Sequence, residues 1–161
     1  MTVPASKIKS KSWAKGPPVQ ADFYTDGELI VKIQLSFASQ FSCMIHGDHL
    51  EMPIYEWMEN YLQGRNGKTL PLDLTPCTPF TKKGLMAVKS LNIGEVASYG
   101  EIAAQIGCPK GARAIGNVCN RNPFPLVIPC HRIIHGNGTI GGFALSLKIK
   151  RALLNFEAGV S

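Results

Sequence analysis

The pattern of apolar and polar residues divides the chain into a strand-rich first part and a helical second part. Apolar and polar residues alternate from Val31 to Phe37, which is the period of a strand with one buried face, and the turn dipeptide Asp26-Gly27 precedes them. These signals predict strands over residues 21–41. From Pro53 to Gln63 the apolar residues recur three and four positions apart, which predicts an amphipathic helix.

The segments on either side of these elements lack such periodicity. Residues 1–20 contain four lysines and an adjacent pair of prolines but little to bury, so we predict a basic flexible tail. Residues 64–79 are rich in glycine, proline, asparagine and threonine, which is typical of a linker. The pattern therefore predicts an N-terminal domain over residues 21–76, linker included, and a C-terminal domain over residues 77–161.

Helix signals are clearest in the C-terminal domain. Thr78 is a good N-cap with Pro79 at the first helical position, and Gly94 is predicted to end that helix. The capping box Ser98-x-x-Glu101 opens a second helix. A last helix is predicted over residues 145–157, with an apolar inner face and three basic residues that mostly face outward: Lys148, Lys150 and Arg151.

A third helix is predicted from about Ala112 to Asn120, after a turn that contains glycine. Two short helices joined in this way are typical of a helix-turn-helix, although an ordinary helical hairpin has the same pattern. Ala112, Ala114 and Gly116 are small, with Arg113 between the alanines, so this helix can approach a DNA backbone or a shallow groove but can read few bases. The whole pattern predicts an α+β fold whose C-terminal domain is mainly helical, with a winged-helix-like helix-turn-helix.

Composition and charge add an expected partner and location. The chain has 161 residues, of which 45% are hydrophobic, enough for one good core or two small ones. Residues 77–161 contain ten Lys and Arg against three acids, which favours an anionic partner for this domain, whereas residues 1–76 contain seven against eight. No apolar run approaches the roughly 20 residues of a membrane span, so we expect no membrane partner. Five irregularly spaced cysteines indicate free thiols in a reducing cytoplasm.

One short motif has metal-ligand chemistry. Cys43, His46 and His49 are spaced so that they could supply three zinc ligands. The sequence places no fourth ligand near them, so we expect no metal at this position.

The stretch from Leu126 to Ile134 is the best candidate for a reactive site. An apolar run and a proline lead to Cys130, His131 and Arg132, and two isoleucines follow. Neighbouring cations lower the pKa of a thiol and make it a stronger nucleophile, so His131 and Arg132 are expected to activate Cys130. In an extended strand, however, adjacent side chains point to opposite faces, so a direct Cys130–His131 hydrogen bond requires a bend or a bridging water.

The residues alone leave several functions open. A cysteine hydrolase is disfavoured because no acyl-binding or oxyanion elements can be identified. A helix-turn-helix regulator with a redox-active cysteine is disfavoured by the small residues of the third helix. A nucleophilic thiol beside a DNA-binding helix pair favours attack on a base that has been flipped out of the duplex.

Several motifs together resemble O6-alkylguanine-DNA alkyltransferases, over roughly residues 78–158. The resemblance rests on five stretches in the family's order: Gly94-Glu95-Val96-Ala97-Ser98-Tyr99, Pro109-Lys110-Gly111-Ala112-Arg113-Ala114-Ile115-Gly116, Asn120-Arg121-Asn122-Pro123, Pro129-Cys130-His131-Arg132 and Leu153-Leu154-Asn155-Phe156-Glu157. It implies direct repair of DNA, in which the alkyl group of O6-alkylguanine, mainly methyl, is transferred irreversibly to a cysteine. It also implies a single-turnover enzyme, monomeric and without a cofactor, that binds double-stranded DNA. The residues before 77 match only in general character, and the family implies a ribonuclease-H-like α/β fold for them.

The resemblance implies a catalytic role for each of five residues. Cys130 is the alkyl acceptor, and His131 draws the thiol proton through a water. Glu157 orients His131, and Asn122 ties the active-site loop together. Tyr99 lies at the 3′ phosphate of the flipped nucleotide and donates a hydrogen bond to the purine.

The resemblance also implies a DNA-binding set. The helix that contains Ala112 and Gly116 lies in the minor groove, and Arg113 replaces the extruded base. Tyr99 and Arg132 are added as DNA contacts. A non-catalytic relative that senses alkylated DNA is the main alternative, and the presence of an acceptor cysteine argues against it.

The loop after the candidate active site departs from the family pattern. Phe143 has the aromatic ring but no hydroxyl, Ala144 offers no side-chain hydrogen bond to O6, and Leu145 adds bulk where glycine is usual. These three residues are expected to line a tight substrate pocket that accepts methyl but reacts slowly with benzyl groups.

Overall fold

In the described part of the chain, a four-stranded sheet, a two-stranded sheet and five α-helices form the fold, which confirms the predicted α+β class. The computed structural model describes residues 8–141 and 146–160. Its strands are β1 (Ile8–Trp13), β2 (Val19–Asp26), β3 (Leu29–Phe37), β4 (Phe41–His46), β5 (Ala97–Ser98) and β6 (Ile133–Ile134). Its α-helices are α1 (Glu51–Leu62), α2 (Pro79–Lys89), α3 (Tyr99–Gln105), α4 (Ala112–Asn120) and α5 (Leu147–Val160).

The sheet has the strand order β1-β4-β2-β3. The hairpin of β2 and β3 is antiparallel and turns at Gly27, whose φ of 60° suits glycine, so the turn signal at Asp26-Gly27 and the strands predicted on either side of it are confirmed. Strand β4 returns parallel to β2, and β1 pairs antiparallel with the outer side of β4. One face of β2 and β4 is buried, as the alternating burial along both strands indicates.

The prediction of a flexible tail over residues 1–20 is wrong for residues 8–20, which the structure places in β1, in the bend that follows it and at the start of β2. Strand β1 pairs along its whole length, from Ile8 opposite His46 to Trp13 opposite Phe41. It is an edge strand with little burial, so its sequence lacks an apolar alternation. Its lysines form ion pairs with α1: Lys9 with Glu51 at 2.5 Å and Lys11 with Glu59 at 2.9 Å.

The segment predicted as a linker joins the edge of the sheet. Ile30 of β3 donates a hydrogen bond to the carbonyl of Pro71 at 2.8 Å, and its own carbonyl accepts one from Asp73 at 2.9 Å. The buried apolar residues of both halves belong to one continuous cluster. The domain boundary at residue 76 and the ribonuclease-H-like description of the first domain stay predictions.

The local helix signals of the second half are largely confirmed. The Thr78 side chain caps α2 with Pro79 at its first turn, and Ser98 and Glu101 form both hydrogen bonds of the capping box of α3. Helices α3 and α4 are joined by a turn over residues 106–111, in the order predicted for a helix-turn-helix. The prediction that Gly94 ends α2 is wrong, because the helix ends at Lys89 and Gly94 lies in the turn that follows.

The last helix differs from its prediction at both ends and on one face. Helix α5 begins at Leu147 and extends to Val160, and it packs against β2, β3 and the turn that contains Cys130. Lys150 was expected to face outward, but its side chain is fully buried. Within residues 8–141 and 146–160, no helix is long and apolar enough to span a membrane.

Candidate active site

Cys130, His131 and Arg132 form a single 3₁₀ turn at the entrance to β6. Strand β6 pairs in parallel with β5, which leads directly into Tyr99 and α3. Because the chain bends into a 3₁₀ turn, the side chains do not alternate as they would in a strand. All three residues of the turn are buried, so the interactions among them occur in the interior of the protein.

Glu157 of α5 binds two side chains of this turn. Its Oε2 lies 2.5 Å from His131 Nε2, and its Oε1 accepts a hydrogen bond from Arg132 Nε at 2.6 Å. Burial alone would raise the pKa of this carboxyl, but the hydrogen bonds and charges of His131 and Arg132 outweigh burial and lower it to about 2. Glu157 is therefore ionised at neutral pH and can only accept hydrogen bonds.

His131 is held as a neutral base. Burial lowers its pKa, and the positive charges of Arg132 and Lys150 lower it further, against the opposing effect of Glu157. Since the ionised Glu157 is an acceptor, the proton of the neutral ring lies on Nε2, and Nδ1 presents a lone pair. Among the described residues, Nδ1 is buried and has no hydrogen-bond partner in the protein. The ring thus has one nitrogen fixed by a carboxylate and one available to accept a proton.

Asn122 connects the candidate nucleophile to the loop in front of it. Its Nδ2 donates to the carbonyl of Ile128 at 2.9 Å and to Cys130 Sγ at 3.2 Å, and its Oδ1 accepts from the backbone N–H of Phe124 at 2.9 Å. The same loop holds Leu126 at a φ of 76°, a left-handed conformation that is uncommon for a bulky side chain. Asn122 therefore stabilises a strained loop and places an N–H on the sulfur.

Arg132 and His131 were expected to lower the pKa of Cys130, and this expectation is wrong. The pKa is raised, and the groups that change it are others. A hydrogen bond shared with the Cys119 thiol and burial both raise the pKa of Cys130, so the resting sulfur is a protonated thiol. The Asn122 N–H and the charge of Lys150 act in the opposite direction. A protonated thiol needs a base before it can act as a nucleophile, and the neutral His131 is a candidate for that base.

Arg132 is an internal residue, so the prediction that it contacts DNA is wrong. Its side chain is 6% exposed, and its Nη1 donates to the carbonyl of Leu91 at 2.8 Å while its Nε binds Glu157. Its position two residues after a reactive-looking cysteine gave no indication that its partner was a buried carboxylate on the last helix.

Three residues of the predicted DNA-binding set lie at one open surface. Tyr99, Ala112 and Arg113 line a cleft of about 520 Å³ together with His135, whose ring lies 5.8 Å from that of Tyr99. Ala112 and Arg113 are exposed on the first turn of α4. Gly116 lies one turn further along, and a side chain there would meet no atom of the described protein within 4 Å. The small size of Gly116 is therefore not required by internal packing.

Tyr99 links this surface to the thiols. It is half-buried, and burial together with the neighbouring Cys119 and Cys130 raises the pKa of its hydroxyl. It therefore remains a protonated hydrogen-bond donor at neutral pH. Cys130 itself is only 3% exposed.

Two predicted sites remain, the substrate pocket and the possible zinc motif. Phe143, Ala144 and Leu145 lie outside the described residues, so the tight pocket stays a prediction. Cys43 is fully buried in the sheet, and His46 is bound to Asp22 at 3.0 Å. No group of three or more potential metal-ligating side chains occurs in the part of the chain that the structure describes.

Lys150 and Tyr61 were missed as parts of the site. Lys150 Nζ donates to the carbonyl of Ile133 at 2.6 Å, beside the thiols whose pKa values it affects. Helical spacing is the signal that would have found it, because Lys150 precedes Glu157 by two turns on the same face as Leu153. The Tyr61 hydroxyl donates to Glu157 Oε2 at 2.8 Å, a pairing across 96 positions that no local pattern indicates.

Comparison with known proteins gives consistent results. Residues 79–159 match the family described as 6-O-methylguanine DNA methyltransferase, DNA binding domain. A methylated-DNA–protein-cysteine methyltransferase of Methanosarcina acetivorans is 44% identical over 101 residues, covering 62% of this chain and 64% of the relative. The constitutive enzyme of that name from Bacillus subtilis is 39% identical over 116 residues, covering 68% of this chain and 70% of the relative. The crystal structure of Mycobacterium tuberculosis OGT in complex with DNA matches with a TM-score of 0.72 and 26% identity, covering 89% of this chain and 94% of that one. The chain thus spans just under two thirds of the length of the archaeal relative.

Proposed function

Because this chain belongs to the 6-O-methylguanine DNA methyltransferase family, we propose that it repairs DNA by moving the O6-alkyl group of guanine, mainly methyl, onto its own Cys130. The relatives named above are methyltransferases of methylated DNA whose acceptor is a protein cysteine. The observation that carries the proposal is a buried turn in which a protonated thiol is followed directly in the chain by a neutral histidine, one of whose nitrogens is fixed by an ionised glutamate.

This arrangement supports a defined path for the thiol proton. We propose that Cys130 gives its proton, through a bridging water, to the lone pair of His131 Nδ1. A buried acceptor without a protein partner is the atom that such a water would satisfy. The imidazolium that forms is stabilised by Glu157, to which it still donates from Nε2.

The transfer itself is an in-line displacement at carbon. The Cys130 sulfur forms a bond to the alkyl carbon while the bond from that carbon to guanine O6 breaks, and the bonding electrons leave with the guanine. The guanine anion then takes up a proton, and the imidazolium of His131 gives up the one it received from the thiol, so that no net charge remains. Tyr99, a hydroxyl donor at the entrance to the site, supports the departing base with a hydrogen bond. The product is an S-alkylcysteine, and no described side chain is arranged to break its thioether. The protein therefore acts once, and no cofactor takes part.

The surface of α4 supports double-stranded DNA as the partner. Arg113 at its first turn and the uncovered Gly116 provide a cation and a flat place of close approach, as a helix against the minor groove requires. A base can reach a buried sulfur only when it leaves the stack, and we infer that Arg113, which is exposed at the same cleft as Tyr99, fills the gap. We propose that the protein works as a monomer in the cytoplasm, at the nucleoid if the cell is prokaryotic.

Mass spectrometry tests the proposal. Incubation with a duplex containing one O6-methylguanine should add one methyl group to Cys130, located by peptide mapping, with one equivalent transferred per protein. Cys130→Ser should bind the same duplex without gaining mass, and Cys119→Ser should still accept the methyl group. A protein that binds the lesion duplex and stays unmodified would instead be a damage sensor.

A further inference from the structure

The active site includes a residue of the N-terminal segment. The Tyr61 hydroxyl, on α1, donates to Glu157 Oε2 at 2.8 Å, and Oε2 is the same oxygen that lies 2.5 Å from His131 Nε2. Both Tyr61 and Glu157 are 1% exposed, so water does not compete for this hydrogen bond. The periodicity over residues 53–63 indicates only that Tyr61 is one of the apolar residues on the buried face of a helix.

The ring of Tyr61 is fixed by its neighbours. It lies between aromatic rings from three elements, with centroid distances of 5.4 Å to Phe156, 5.7 Å to Phe41 and 5.7 Å to Trp57. Such packing leaves the ring little freedom, so the direction of the hydroxyl is set before any substrate arrives. A buried tyrosine needs a partner for its hydroxyl, and here that partner is a catalytic carboxylate instead of a backbone carbonyl.

The hydrogen bond does not switch off in the physiological pH range. Burial, the charge of Glu157 and the bond itself all raise the pKa of Tyr61 well above its ordinary value, so it always donates. Glu157 thus has three donors, with Tyr61 and His131 on Oε2 and Arg132 on Oε1. Each donor withdraws part of the negative charge that the other two experience.

We propose that Tyr61 is a positioning residue for alkyl transfer, which holds the Glu157 carboxylate against His131 and limits how strongly Glu157 favours the imidazolium. This inference rests on the proposed function, because it assigns Tyr61 a part in the same proton path. The charged groups around His131 are Glu157 and Lys150 from α5 and Arg132 from its own turn. Without the Tyr61 hydroxyl, Oε2 bears more negative charge, so His131 becomes more basic and stays protonated to a higher pH.

Tyr61→Phe removes the hydroxyl and keeps the ring. Because the Glu157 carboxylate then loses one of the hydrogen bonds that position it, we expect methyl transfer from an O6-methylguanine duplex to slow by about tenfold, the value of one hydrogen bond to a charged group, even though His131 becomes the stronger base. The acidic limb of the rate profile, measured from about pH 5 to about pH 9, should move to higher pH, while duplex affinity stays unchanged. Tyr55→Phe is the matched control, since Tyr55 lies on the same helix but faces Lys11, and it should behave as the unmodified protein.

A second variant and a direct measurement distinguish positioning from packing. Site-specific 3-fluorotyrosine at position 61 retains the ring and strengthens the donor, so the acidic limb should move to lower pH. The pH titration of the His131 ring, followed by nitrogen NMR, should shift upward in Tyr61→Phe and downward with fluorotyrosine.

The possible outcomes separate this inference from the proposed function. If the unmodified protein accepts no methyl group, the proposed function fails and this inference fails with it. If the unmodified protein accepts methyl but Tyr61→Phe has the same rate and pH profile, only this inference is overturned. A slower Tyr61→Phe whose His131 titration does not move would also overturn it, because a packing role alone would explain the result.

Discussion

Glu157→Gln should remove the part of the acid sensitivity that comes from the Glu157 carboxyl itself. In the folded protein the pKa of Glu157 is lowered from an ordinary 4.5 to about 2. A carboxyl whose pKa is depressed by folding contributes stability that is fully present above its unfolded pKa and is lost as the pH falls toward the folded value. The window for this loss is therefore between about pH 4.5 and about pH 2. The shift corresponds to about 3 kcal/mol of the free energy of unfolding.

The neutral-pH cost of the substitution should be of the same size. Glutamine retains an oxygen for Arg132 Nε, but it has no charge to balance the buried guanidinium, and breaking a buried ion pair costs about 3–5 kcal/mol. Glu59→Gln is the matched control, because Glu59 pairs with Lys11 at the surface, where both side chains are more than 40% exposed. An exposed pair contributes about 0–1 kcal/mol, so this control should be nearly unchanged.

Urea unfolding at about pH 7 and about pH 3, followed by circular dichroism, measures both quantities. The unmodified protein and Glu59→Gln should lose stability between the two conditions. Glu157→Gln should lose less, and the loss that it retains should come from other groups such as the buried neutral His131. If Glu157→Gln retains the full pH dependence, the carboxyl with the lowered pKa is not Glu157. The proposed proton path, which needs an ionised Glu157 against His131, would then be refuted.

Three further predictions test the surface, the sulfur and the packing. Gly116→Leu should weaken duplex binding by at least tenfold without lowering the melting temperature, because the added side chain meets only an approaching partner; equal binding in a gel-shift assay would contradict this. Lys150→Met should move the pH midpoint for iodoacetamide labelling of Cys130 to higher values, as a nearby cation is lost, whereas Lys148→Met on the exposed side of the same helix should not. Gly84→Val should destabilise the protein by about 1–3 kcal/mol in urea unfolding, since its Cβ would lie 3.2 Å from a side chain of α4.

Signals that act within a few residues were predicted correctly from the sequence. The capping box of α3 and the proline and threonine at the start of α2 each satisfy backbone groups of their own helix, so their meaning does not depend on the rest of the chain. The hairpin at Gly27 is of the same kind. Strand β1 shows the limit of this approach, because its partner β4 lies about thirty residues away along the chain and its own side chains bury little.

Buried charged side chains were the second kind of feature that could not be predicted from the sequence. Arg132 and Lys150 were placed at the surface because cations are rarely buried without a partner. Their partners are Glu157 and the carbonyls of Leu91 and Ile133, none of which the sequence can pair with them. The resemblance to a family supplied the roles of Cys130, His131 and Glu157, but it did not supply the second layer of contacts around them.

Under the proposed function, that second layer of contacts explains how the Cys130 sulfur can be both buried and reactive. A thiol in the interior is harder to ionise, so burial protects Cys130 from adventitious reaction when no substrate is present. The same interior makes each charge around it more effective, because little solvent screens Glu157, Arg132 and Lys150 from the sulfur or from His131. The cost of burying these charges is offset only if their hydrogen bonds are complete, which ties the turn at Cys130 to α5 and, through Tyr61, to α1. Reactivity and stability therefore depend on the same set of contacts, and a substitution in any of the three elements is expected to change both.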